Sequence, residues 1–209
     1  MLITSLFLAL TITGTINGAI SHTEYKPGAS STITVSAIPQ NVQEFDELQA
    51  QIGGEPQGAA ALCIIAMEMY QKYGFAVASP CLQKCNTEIN MHSYMMNRLK
   101  DFFGPNSTLD RPYQMAAFFK DASPENGYNP SRPLTIEVFV SKIDGYQKSN
   151  SLKGNVIYLR VKFSGSDSMK DVGVEVVLPS GEQYYRVSSC PGLYSTVKAA
   201  AAGQSFNGM

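Results

Sequence analysis

Tryptophan is absent from this 209-residue chain, histidine occurs twice, and charged residues make up 16%, against roughly a quarter in an average soluble domain. Each shortage removes a class of function. The formal net charge is -1 and no run of lysine and arginine occurs, so the electrostatic footprint of a nucleic-acid or anionic-membrane binder is missing. No P-loop, dinucleotide fingerprint, H-E-x-x-H or EF-hand loop is present, nor the G-x-S-x-G elbow of a serine hydrolase. No cofactor is implied and no metal site is assigned. What is left is a non-enzymatic binding or interaction domain, its partner an unknown protein or small-molecule ligand. The competing reading is a hydrolase or thiol enzyme built on His92 and a cysteine.

Long apolar runs are scarce too. The one candidate, L-I-T-S-L-F-L-A-L-T-I-T-G-T-I at residues 2–16, falls short of the roughly 20 residues that span a bilayer. It is followed by small residues and by Ala19-Ile20-Ser21, a cleavage-like pattern, so residues 1–21 are expected to be a secretory leader. The mature chain would then begin at His22, outside the cytoplasm and with no membrane span. The alternatives are an uncleaved membrane anchor or a buried N-terminal strand.

What is present begins with four cysteines, Cys63, Cys81, Cys85 and Cys190. In an oxidising compartment an even number suggests disulfides, with Cys63 joined to Cys81 or Cys85 and Cys190 to the other. Cys81 with Cys85 ranks last, because a bridge between positions i and i+4 fits helical backbone poorly. Free buried thiols are the open alternative, since cysteine packs as a small hydrophobe.

The stretch C-L-Q-K-C-N-T-E-I-N-M-H joins two of these thiols to His92. On one helix, Cys81, Cys85, Ile89, His92, Met96, Leu99 and Phe103 fall at the spacing of a buried stripe. Eleven residues of helix span roughly 16 Å, too far for one metal to bridge Cys81 and His92. A thiol enzyme would use Cys81, placed in the first turn where backbone N–H groups lower a thiol pKa, or Cys190 brought near His92 in space. The plain reading is that the stripe is core.

The remaining pattern gives an α+β class, with N-terminal helices packed on one face of a C-terminal antiparallel meander of about four to five strands. Residues 22–38 read as a linker and an edge strand, and residues 39–198 as a single domain. Its helical part covers about 40–104 and its sheet part about 134–189, and residues 199–209 form a flexible tail. Asn41 to Glu44 reads as a capping box that starts a helix through about Gln51. Residues 57–73 form a helix apolar nearly all round and therefore central, stopped by Gly74. Ser79-Pro80 is expected to cap and open the next helix, which runs to Phe103 or breaks near Asn90. From Leu134 the period becomes two, as in a sheet with one packed and one wet face.

On that wet face Tyr158, Arg160, Lys162, Tyr184 and Arg186 are the candidate binding residues, with Glu137, Phe139 and Glu175 nearby. The bland alternative is a solvated face with cross-strand ion pairs. The stiff loop A-S-P-E-N-G-Y-N-P-S-R-P, residues 122–133, is a clasp with Tyr128 packed on the sheet edge, or a presented binding surface. The turn at Ser164–Ser168 reads as a plain hairpin loop. Asn106 opens an N-x-S/T sequon, which matters only in a glycosylating secretory pathway.

Four segments, E-P-Q-G-A-A-A-L-C-I-I-A-M, F-F-K-D-A-S-P-E-N-G-Y-N-P-S-R-P-L-T-I, F-S-G-S-D-S and G-E-Q-Y-Y-R-V-S-S, occur in this order. Together they resemble an uncharacterised bacterial domain family, number 6935 among the domains of unknown function, over about residues 40–198. The family's S-G-A-D-S-P-R-P loop is S-G-S-D-S-M-K-D here, and Tyr184-Tyr185 stands where its last strand carries Trp. The resemblance implies one shared domain and no particular activity.

Overall fold

The computed structural model describes residues 15–22, 26, 28–87, 97, 99–101, 111–141, 146–149 and 154–209. Helix α1 (Val42–Ile52) starts where the sequence placed it. Asn41 accepts the Glu44 backbone N–H at 2.9 Å, and the Glu44 carboxylate returns to the Gln40 N–H at 2.8 Å. Helix α2 (Pro56–Tyr73) is buried on every residue from Pro56 to Tyr70, as a helix apolar all round requires. Gly74 ends it at φ 81°, a conformation that disfavours any side chain.

Helix α3 corrects the sequence reading at both ends. It runs Phe75–Cys85, starting directly after Gly74, so Pro80 lies inside the helix. The carbonyl that Pro80 leaves without a donor belongs to Ala76, which is exposed, so water can serve it. The helix stops at Cys85 because Asn86 turns extended and forms a parallel bridge with Val187, and the Thr87 N–H then donates to the Val187 carbonyl at 2.8 Å. The expected stripe from Cys81 to Phe103 is therefore not one helix face. Cys81, Cys85 and Leu99 are buried, while Ile89, His92, Met96 and Phe103 lie outside the described residues.

The strands are β1 (Gly18–Ile20), β2 (Ser30–Val35), β3 (Leu134–Val140), β4 (Tyr146–Ser149), β5 (Gly154–Lys162), β6 (Asp171–Val177) and β7 (Arg186–Ser189). They form one antiparallel sheet in the order β1-β2-β3-β5-β6-β7, with β4 pairing the first half of β5. The α+β class stands, and among the described residues the sheet has seven strands, above the four to five expected. Alternate residues Ile33, Ile136, Val138, Leu159, Val161, Val174 and Val176 are buried. Helix α2 packs against β2, β3, β5, β6 and β7.

Two boundary expectations change. Strand β2 is not an edge, because β1 pairs along it from Gly18 to Ile20. Ile16 is buried, its carbonyl accepts the Gln51 side chain at 2.9 Å, and the Gly18 N–H donates to that same side chain at 2.8 Å. A mature chain starting at His22 would lack this strand, whose residues are half-buried or exposed beside the buried Ile16. The C-terminal tail is not loose either. Ala201 N–H donates to Pro124, Asn129 holds Ser205 and Asn207, Phe206 meets the Tyr113 ring edge-on, and Lys72 donates to the Met209 carbonyl. Among the described residues no helix is long and apolar enough to cross a membrane.

Candidate functional site

Strand β5 pairs β3 through Val161, and beyond that point the two part company. Another segment takes over the vacated edge of β3: Phe119 bridges Ile136, and the Lys120 N–H donates to the Thr135 carbonyl at 2.8 Å. A cleft of about 600 Å³ opens at this changeover, within the 300–1,000 Å³ common for small-molecule sites.

The floor is set by packing. The rings of Phe118 and Phe163 lie 4.8 Å apart, and both are buried. Ser164 ties the two walls together, since its backbone N–H and its hydroxyl both donate to the Ala117 carbonyl at 2.9 Å. One wall is the loop from Lys120 to Glu125. Asp121 sits there at φ 65°, a sparsely populated region for a residue with a side chain. Its carboxylate accepts the Ser131 hydroxyl at 2.7 Å, and Ser123 and Asn126 close a capping box around Pro124–Asn126.

The opposite wall is the turn between β5 and β6. The Ser166 hydroxyl accepts the N–H groups of Ser168 and Met169, and the Lys198 N–H donates to the Gly165 carbonyl at 2.7 Å. The Lys198 amine grips both oxygens of Asp167, at 2.9 and 3.0 Å, which holds that carboxyl below its ordinary range. Glu125 is lowered as well, first by its own backbone N–H and then by the Ser123 hydroxyl. Lys162, Lys170 and Glu137 complete the polar lining.

Of the five sheet-face candidates, Lys162 lines this cleft, its amine 5.6 Å from the Phe139 ring centroid. Tyr158 and Arg160 line a separate hollow of about 220 Å³ with Gly173, Glu175 and Ser189. Arg160 is ion-paired with Asp171. Arg186 is occupied elsewhere, by Glu182 at 2.7 Å and the Gln83 carbonyl at 3.5 Å, and Tyr184 precedes β7. Neither lines the cleft.

The loop holds a clasp as well as a wall, at opposite ends. Tyr128, at φ 60° and fully buried, stacks on Tyr113 at 4.7 Å and donates its hydroxyl to the Lys198 carbonyl at 2.8 Å. It packs under the C-terminal segment and not on the sheet edge. Gly127 fits there because its φ is 67° and a Cβ would meet the Ser205 carbonyl oxygen at 2.6 Å.

All four cysteines are free and buried, the second of the two alternatives left open for the disulfide candidates. Cys63, Cys85 and Cys190 gather around the buried Asn86 amide, which donates to Cys63 at 3.6 Å and to Cys190 at 3.5 Å. Hydrogen bonding with Cys190 lowers the Cys63 thiol pKa, but hydrogen bonding with Cys85 and burial outweigh it and hold the thiol well above the ordinary range. Cys81 stands apart, midway along α3 and not in its first turn, with its thiol on the Val77 carbonyl and its pKa pushed up to about 11 by burial. Among the described residues no group of three or more His, Cys, Asp or Glu side chains is arranged to hold a metal ion. His92 and Asn106 lie outside the described residues.

Sequence reasoning passed over Lys120, Glu125, Asp167 and Lys170. Three of them lie in the two quoted segments F-F-K-D-A-S-P-E and F-S-G-S-D-S, which belong to the two walls, and Lys170 lies two residues past the second. A family model described as a domain of unknown function (DUF6935) matches residues 37–201. No curated protein and no solved structure matches the chain.

Proposed function

The chain belongs to the DUF6935 family, and from that premise we propose that it is a secreted, non-enzymatic binding domain whose ligand site is the cleft where β5 parts from β3. One observation carries this reading. Two loops far apart in sequence are locked to each other by Ser164 and Lys198, and between them they leave a polar-walled space of small-molecule size. Secretion rests on residues 1–21 read as a leader cleaved after Ser21, and N-terminal sequencing of the exported protein tests it.

The chemistry favours binding over turnover. A cysteine nucleophile needs a lowered thiol pKa and access to substrate. Cys81 and Cys63 are shifted the other way, and both are buried together with Cys190. The amines and carboxylates of the cleft instead suit recognition by charge and hydrogen bonding.

Titrating the ¹⁵N-labelled full chain with mixtures of small polar fragments tests the reading. Saturable shifts are expected at residues 117–125 and 162–170, reduced in Lys162→Met. Shifts that saturate elsewhere while these residues stay still contradict it.

A further inference from the structure

Resting on the reading of the cleft as the binding site, we infer that its ligand is a small zwitterion of the amino-acid or short-peptide class, carrying at least one ammonium and one carboxylate. The walls present amines from Lys120, Lys162 and Lys170 and carboxylates from Asp121, Glu125, Glu137 and Asp167. These charges come from four places in the chain: the loop after Phe119, the middle of β3, the end of β5 and the turn before β6.

Some of them are already engaged. Asp121 accepts the Ser131 hydroxyl, Asp167 is held by Lys198, Glu125 by its own backbone and Ser123, and Lys170 donates to the Ser166 carbonyl at 3.4 Å. Lys120, Glu137 and Lys162, whose amine lies over the Phe139 ring, supply charges of both signs at the β3 end of the lining.

Three ligand classes fit this lining poorly. A simple anion would be drawn to the amines but would bring its charge against the carboxylates, and a simple cation would meet the mirror problem at the amines. Either would set like charge against like within one cleft. An apolar molecule or a stacking sugar ring would need an open aromatic platform, and Phe118, Phe119 and Phe163 are only 1%, 2% and 4% exposed. A molecule with both charges satisfies both kinds of group and gives up its hydration without leaving an unpaired ion.

The test is an NMR titration of the full chain with four probes: the tripeptide Lys-Ala-Glu with free termini, its N-acetyl, C-amide form with both side chains replaced by Ala, succinate, and 1,4-diaminobutane. The tripeptide is expected to bind in the cleft at least 10-fold more tightly than any of the other three. Lys162→Met and Glu137→Gln are each expected to weaken it at least 5-fold while the circular dichroism spectrum is unchanged. Succinate or diaminobutane binding in the cleft as tightly as the tripeptide would overturn the ligand class and leave the cleft as a binding site. Fragment binding in the cleft with no tripeptide binding would overturn it in the same way. Tripeptide binding elsewhere, with residues 117–125 and 162–170 unmoved, would overturn the inference and the underlying reading together.

Discussion

Glu68 is a carboxyl on the central helix α2 with 2% of its surface exposed, and its Oε2 has no hydrogen-bond partner. Burial raises its pKa from 4.5 to about 8, against the opposing pull of Lys72 one turn on. The folded chain therefore holds this proton more tightly than the unfolded chain does. The stabilisation is complete below pH 4.5, declines between 4.5 and 8, and is gone above 8, with a slope of about 1.4 kcal/mol per pH unit. Glu68→Gln is expected to flatten this decline and to be about 2 kcal/mol or more stabler than the parent at pH 8, measured by denaturant unfolding at pH 5 and pH 8. An unchanged slope would show that Glu68 is ionised in the fold. The thiols give a second residue-scale prediction. With all four buried and Cys81 and Cys63 shifted upward, none should react with a chromogenic disulfide in native protein and all four should in denaturant. One fast native thiol would revive the enzyme reading. That Cys81 and Cys85 are buried was legible from their i, i+4 spacing, and Cys63 from its place on the all-round apolar α2. That Cys63, Cys85 and Cys190 meet around Asn86 was not, because they come from three separate elements.

At the scale of elements, local signals were read well where they were self-contained. The Asn41 cap, the all-round apolarity of α2 and the Gly74 stop depend on a few adjacent residues. The strict alternation of Leu134 to Val140 likewise gave β3 without error. Failures came where tertiary partners decide. Ser79-Pro80 looks like a helix start, yet Gly74 lets α3 begin five residues earlier with Pro80 tolerated inside. The helix ends at Cys85 because Asn86 finds a bridge on Val187, a residue about a hundred positions away. Strand β4, Tyr-Gln-Lys-Ser, has no apolar alternation to announce it. Strand β1 was hidden in a run that reads as leader. That strand supports a further prediction. Deleting residues 1–14 leaves β1 in place, whereas deleting 1–21 removes the buried Ile16 and the backbone pairing along β2. The longer deletion should cost about 2 kcal/mol or more relative to the shorter, seen as a lower midpoint in thermal unfolding. Equal midpoints would show that β1 contributes nothing to the domain.

For the whole molecule, the helices interrupt a sheet that is otherwise sequential in order. Strands β1 and β2 come before them and β3 to β7 after, and α2 packs against five of the seven strands. The α+β class was legible because helix and strand periods occupy separate stretches of chain. The cleft was not, because it arises from a long-range exchange of partners along β3, from Val161 of β5 to Phe119. The two loops that wall it were noticed only as stiff or turn-like. Neither loop alone shows that Ser164 would reach Ala117, or that Lys198 would brace Asp167. The C-terminal segment, expected to be loose, reinforces this arrangement through Tyr128 and Pro124.

A crystallographic fragment screen, soaking small polar compounds into crystals of the full chain, measures most directly whether that cleft is the ligand site. Fragments should superpose between Lys120, Lys162 and Lys170, with carboxylate groups on the amines. Fragments gathering at the hollow beside Tyr158 and Arg160, or anywhere else on the surface, while the cleft holds only solvent would contradict the account.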